Sequence, residues 1–190
     1  MSHTLQIIIV STRPGRAGKP IADWFVKEAQ RDGRFEIELT DLAELALPPL
    51  DEPHHPRLRN YVHEHTLAWS RTVEASDAFV VVMPEYNHGF AASIKNAIDY
   101  LHDEWAYKPV GFVSYGGISA GMRAVQMLKP VLSCLRMIPV TEQVALANHV
   151  QFLHGGVFAP GEPASVAVTA MLDDLQRTML AIGQLRSAIA

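Results

Sequence analysis

The chain has 190 residues, 48% hydrophobic and 19% charged, which fits one soluble globular domain with a substantial core. Its net charge of −4 and scattered basic residues exclude a nucleic-acid footprint, and no apolar run approaches the ~20 residues of a membrane span. A single cysteine, Cys134, excludes an internal disulfide framework; with no signal-peptide pattern in residues 1–6, it points to the cytoplasm.

Residues 5–10 (LQIIIV) are a continuous β-branched run without polar alternation, the pattern of a strand buried on both faces. Helical spacing follows over 20–31, stopping at Gly33, and 35–41 (FEIELTD) alternates as a strand near a sheet edge. A proline-rich loop over 47–56 leads to helical periodicity across 57–76. A second buried strand, 78–83, is broken by 84–89 and followed by a helix over 91–102. The next buried strand is 109–114, then the Gly116-Gly117 turn and a helix over 122–135 containing Cys134 as a small buried residue. A fifth strand is expected at 140–146, a glycine-containing loop at 149–161, and a long helix at 162–189. Trp24, Trp69 and Trp105 suit a core or an interface, with Trp105 and Tyr107 placed to reach a partner subunit. Alternating buried strands and helices predict one α/β domain over 1–190, a five-stranded parallel sheet of order 2-1-3-4-5 between helical layers.

In such a sheet ligands bind at the carboxyl ends of the strands, near the switch point between strands 1 and 3. Three turn-rich segments fall there: 11–18 (STRPGRAG), 84–89 (PEYNHG) and 114–117 (SYGG). The first has the parts of a phosphate cradle: hydroxyls, a helix start, and Arg13 or Arg16, with Gly15, Ala17 and Gly18 permitting close backbone approach. A plain strand-to-helix turn with two solvated arginines is the alternative. It is not a dinucleotide G-x-G-x-x-G loop, since 10–12 hold no glycine, nor a Walker A motif, since Pro20 stands where Ser or Thr would bind magnesium. In the second loop Pro84 ends the strand, Tyr86 offers a flat surface, and Asn87 and Gly89 suit a tight turn presenting amides to a heterocycle.

The segments STRPGR at 11–16, PEYNHG at 84–89, KNAIDYL at 95–101 and PVGFVSYGG at 109–117, in order and after the right strands, resemble the NADPH-dependent FMN reductase family over about the first 145 residues. The resemblance implies a flavodoxin-like fold, FMN as cofactor, NADPH or NADH as co-substrate, and a small-molecule electron acceptor such as a quinone or flavin. It implies Ser11, Arg13, Arg16, Ala17 and Gly18 at the FMN phosphate. Pro84, Glu85, Tyr86, Asn87 and His88 would line the isoalloxazine, and Ser114, Gly116 and Gly117 its opposite edge. Some members carry G-S-x-R-x-x-S-x-N in the first loop, where this chain has Val10, Arg16 and Gly18 at the glycine, second serine and asparagine positions. Dimers or tetramers are implied too, with residues 50–53 (LDEP) as a roof over the partner's site.

The expected cycle is ping-pong, without a catalytic side chain, because the flavin performs the redox chemistry. An electron-carrier flavodoxin and a flavin-free module on the same fold are the alternatives from other classes. The histidines do not suggest a metal: His54-His55 lie in a proline loop, and His63 and His65, two apart on a helix, should face apart.

Overall fold

The computed structural model describes residues 3–187. Strands β1 (Thr4–Ile9), β2 (Glu36–Asp41), β3 (Ala78–Pro84) and β4 (Pro109–Tyr115) are parallel neighbours in the order β2-β1-β3-β4. Every residue of β3 and β4 is buried, as continuous apolar runs covered on both faces require. The position beyond β4 differs from the expected single strand over 140–146. Two short strands share it: β5 (Ile138–Pro139) beside Pro109 and Val110, and β6 (Val144–Leu146) beside Val113–Tyr115. The cause is local. Pro139 has no N–H for the ladder, and the amides of Thr141 and Glu142 turn away to the Asp174 carboxylate at 3.0 and 3.3 Å.

Alternation of side chains across the sheet divides the core in two. Ile7, Ile9, Val80, Val82 and Val113 meet α1 (Gly18–Asp32) and α6 (Glu162–Ser187) on one face. Ile8, Phe79, Val81 and Phe112 meet α3 (Glu64–Ala75), α4 (Ala92–Asp99) and α5 (Met122–Cys134) on the other; the short α2 (Leu42–Leu45) precedes α3. In α1, Ile21, Ala22, Phe25 and Ala29 form the buried stripe. α6 lies close on β4 at Gly111: a Cβ there would stand 2.8 Å from Met171 Sδ.

Several expected boundaries move. The helix read over 57–76 begins only at Glu64, because the Glu52 carboxylate accepts the Val62 and His63 amides and a 3-10 turn takes Pro56–Leu58. The helix after β3 ends at Asp99, with a 3-10 turn at Asp103–Trp105. The loop over 149–161 contains a 3-10 turn and a two-residue-stranded hairpin, β7 (Leu153–His154) with β8 (Val157–Phe158). The last residues of the helix expected over 162–189 lie outside the described residues. Trp105 is 1% exposed, packed on Trp69 and Phe79, so it belongs to the core and not to a subunit contact. Cys134 is exposed, not buried. Ala124, Val125, Leu128 and Leu132 form the buried face of α5, and two residues past Leu132 the helix has turned about 200° away. No described helix is long and apolar enough to cross a membrane.

Candidate active site

The three loops converge where the sequence puts them, and one hydrogen bond joins two of them. Ser11, 1% exposed just beyond β1, has its Oγ 2.6 Å from the Tyr86 hydroxyl of the loop after β3. The first loop turns back through an Arg16 N–H to Arg13 C=O bond of 3.1 Å and enters α1 at Ala17, which gives the helix no side-chain cap. The opening amides of α1 thus face the crevice, and Pro20 has no amide to satisfy, an arrangement suited to an anion. Arg13 is exposed. Arg16 is bonded to the buried carboxylate of Asp41 at the end of β2, whose other oxygen caps the Ala43 amide at 3.0 Å. That leaves the Arg16 Nε buried without a partner.

Gly18 is held to glycine by its neighbour. A Cβ at this position would stand 2.8 Å from the Tyr115 hydroxyl and 3.7 Å from Ser11 Cβ. Tyr115, the last residue of β4, is 4% exposed; its ring meets His149 edge-on at 5.0 Å, and its Oη has no hydrogen-bond partner. Burial, with Tyr86 nearby, pushes this phenol well above the ordinary tyrosine range, against the opposing pull of Ser11, Arg13 and Arg16, so it is a neutral O–H donor.

The second loop is a tight turn. The amides and carbonyls of Tyr86 and Gly89 are paired reciprocally at 2.9 Å, while Asn87 and His88 carry positive φ of 50° and 69°, as a type I′ turn requires. This pairing leaves the apex amides of Asn87 and His88 unused and presents Tyr86, 38% exposed, at the crevice. Pro84 closes β3, and the Glu85 amide bonds to Tyr115 C=O at 3.3 Å. The Glu85 side chain is held by the segment that follows β4. Its carboxylate accepts from Ser119 Oγ at 2.9 Å and from the Arg123 amide and Nε at 3.2 and 2.6 Å. Burial alone would raise its pKa, but Arg123 and Ser119 outweigh it and hold the carboxyl below its usual range. Arg123 also reaches His88 Nε2 at 2.9 Å.

In the third loop, Gly116 N–H donates to Leu146 C=O at 3.4 Å and its carbonyl meets His149 Nδ1 at 3.0 Å, while Gly117 is exposed. The Ser114 side chain is fully buried on the face it shares with Phe112, and its Oγ has no hydrogen-bond partner among the described residues. Gly121 supports this loop from below: with φ +81°, a Cβ there would lie 2.9 Å from the Tyr115 nitrogen. Beside the crevice, a cavity of about 520 Å³ opens between α2 and α4, lined by Thr12, Leu47, Ser93 and Asn96 among others.

Sequence reasoning missed Tyr115, Asp41, Ser119 and Arg123. Tyr115 stands inside the SYGG segment, and nothing in the sequence alone pairs it with Gly18. His63 and His65 do not face apart but stack at 5.1 Å, because His63 is the extended residue before α3 (φ −99°, ψ 136°) and not part of the helix. Residues 50–53 are strapped down: Leu50 N–H donates to Asn96, and Asp51 accepts from the Tyr100 hydroxyl at 2.9 Å.

A parallel sheet of order 2-1-3-4-5, with three polar loops at its carboxyl ends, defines a flavodoxin-like α/β protein. The fold matches that of FerB, a flavoenzyme NAD(P)H:(acceptor) oxidoreductase from Paracoccus denitrificans, with a TM-score of 0.75 at 22% identity over 93% of this chain and 98% of that one. The chain belongs to the NADPH-dependent FMN reductase family, whose profile matches residues 4–151. It is 36% identical over 181 residues to an NAD(P)H-dependent FMN reductase of Schizosaccharomyces pombe, covering 94% of this chain and 88% of that protein. To an NAD(P)H-dependent FMN reductase of Saccharomyces cerevisiae it is 35% identical over 142 residues, 69% of this chain and 74% of the relative. The family is one of oxidoreductase enzymes.

Proposed function

We propose that residues 1–190 form one FMN-binding domain that uses NAD(P)H to reduce a quinone, flavin or similar small acceptor in ping-pong order. The observation that carries this reading is the uncapped start of α1 facing Ser11, in the same crevice as the Tyr86–Gly89 turn. The residues fit the cofactor: a helix start at Gly18 packed against Tyr115 and Ser11, and buried donors at Arg16 Nε and Tyr115 Oη without hydrogen-bond partners among the described residues. FMN, when bound, supplies hydride acceptance from the nicotinamide and delivery of the electrons to the acceptor.

The protein's own part is binding and placement. Ser11, Arg13, Arg16 and the amides at Ala17 and Gly18 hold the phosphate dianion. The apex amides of Asn87 and His88 and the exposed face of Tyr86 hold the ring, with Pro84 and the backbone at Ser114, Gly116 and Gly117 bounding it. Glu85 acts through Arg123 and Ser119, pinning the turn to α5. No side chain serves as a nucleophile. A single crevice used by donor and acceptor in turn is consistent with the ping-pong order, and the cavity beside Thr12 adjoins it. We read the protein as a cytoplasmic homodimer or homotetramer in which residues 50–53 roof the partner's site; the exposed Leu50 in that strapped segment supports this.

The test is an absorption and fluorescence titration of the purified protein with FMN, followed by steady-state NADPH oxidation with a quinone. Quenching of flavin fluorescence and parallel double-reciprocal lines are expected. No flavin uptake overturns the cofactor, and intersecting lines overturn the order. A monomer by light scattering overturns the roof.

A further inference from the structure

The Tyr115 hydroxyl lies beside the crevice, and the binding roles above give it no contact with the ligand. Its oxygen lies beneath the first residue of α1, so close to Gly18 that a methyl group there could not fit. It comes from β4, two strands across the sheet from the loop it touches. The residue is 4% exposed, yet its Oη makes no well-formed hydrogen bond among the described residues, with Ser11 the hydroxyl beside it. A buried hydroxyl left unsatisfied costs stability, so a ring that could be phenylalanine at no loss of packing carries its oxygen for a reason outside the folded chain. The same region holds two more polar groups: the Arg16 Nε, buried and unpartnered, and the Ser11 Oγ, whose hydrogen bond is to the Tyr86 hydroxyl. α1 has 15 residues and no side-chain cap, so its N-terminal amides face the same space. All of these are donors or hydroxyls, and the charged groups bearing on Tyr115 here are Arg13 and Arg16. An anion with several acceptor oxygens satisfies them together.

We propose that the Tyr115 hydroxyl donates to the phosphate of the bound flavin nucleotide, filling the space that Gly18 leaves open. This assignment rests on the FMN reading above. It makes β4 a contributor to the phosphate cradle as well as to the ring edge, and it makes Gly18 and Tyr115 a matched pair. A side chain at position 18 and a tyrosine at 115 exclude one another.

The experiment compares deflavinated wild type with Y115F using three probes: FMN, riboflavin (the same ring without phosphate) and inorganic phosphate alone. Y115F should weaken FMN roughly 10- to 100-fold, the effect of one hydrogen bond to a charged group, and leave riboflavin affinity unchanged. Ligand-free Y115F should melt at the same temperature as wild type or higher, because no internal bond is lost. Inorganic phosphate should raise the melting temperature of wild type more than that of Y115F. Unchanged FMN affinity, an equal loss for FMN and riboflavin, or a lower melting temperature of the ligand-free variant each overturns the assignment. Wild type that fails to bind FMN, yet is stabilised by phosphate in a Tyr115-dependent way, overturns the cofactor and keeps the anion site.

Discussion

The Ser11 and Tyr86 side-chain oxygens, 2.6 Å apart, tie the loop after β1 to the loop after β3 across the mouth of the crevice. Ser11 is buried and Tyr86 is exposed, so the two differ in what their loss does. S11A should leave the fold intact and weaken FMN binding about tenfold, the loss of one charge-assisted hydrogen bond. Y86F should change FMN affinity less than that. A fluorescence titration of both variants checks the order; an S11A affinity equal to wild type refutes the role of Ser11.

Arg16 is shared between Asp41 and the cradle. R16A should raise the FMN dissociation constant at least tenfold and flatten its salt dependence, while riboflavin affinity stays constant. R16K should not restore binding, because a lysine cannot hold Asp41 and an anion with one planar fork. Titrations at two ionic strengths read this directly.

Glu85 gives a pH signature. Its folded pKa is lowered from the ordinary 4.5 despite burial, because Arg123 and Ser119 stabilise the charged form. Its contribution to stability is therefore full above about pH 4.5 and is lost as pH falls through the lower folded value. R123A should lower the melting temperature by about 2–4 °C at pH 7, with Arg123 half-exposed and partly screened. The gap should close as the pH falls through that lowered value. A difference independent of pH would mean that Arg123 acts by packing alone.

Two glycines of one loop separate backbone need from incidental flexibility. At Gly121 a Cβ would meet the Tyr115 nitrogen at 2.9 Å and Ser114 Cβ at 3.0 Å, with φ at +81°; at Gly117 it would meet nothing within 4 Å. G121A should destabilise by about 3 kcal/mol and G117A by less than about 1 kcal/mol. Chemical denaturation of the pair measures it, and equal effects would contradict the geometry.

Most of the sheet was legible because buried β-branched runs such as VVV at 80–82 allow few other readings. The place where the pattern broke, Glu142 and Gln143, is where the fifth strand divides, and its partner Asp174 lies far along the chain on α6. Cys134 and His63 were misread for one reason: their helix phase depends on where the helix begins or which face is buried, and tertiary contacts decide both. The loops of the site were visible as turn-rich segments at strand ends. Which way each side chain points was not, because Arg16, Glu85 and Ser114 are oriented by partners on β2, by α5 and by the sheet interior.

The contact between α6 and β4 has a mechanical meaning. At Gly111 the helix rests on bare backbone, with Met171 filling the volume a side chain would take. Tyr115 lies four residues farther along the same strand, about 13 Å away at the usual strand rise. Any atom added at position 111 would lift the helix or bow the strand, and the strand ends at the floor of the crevice. The height of that floor is thus gauged from the opposite end of the strand, and substitutions under α6 can adjust ligand fit without touching a ligand.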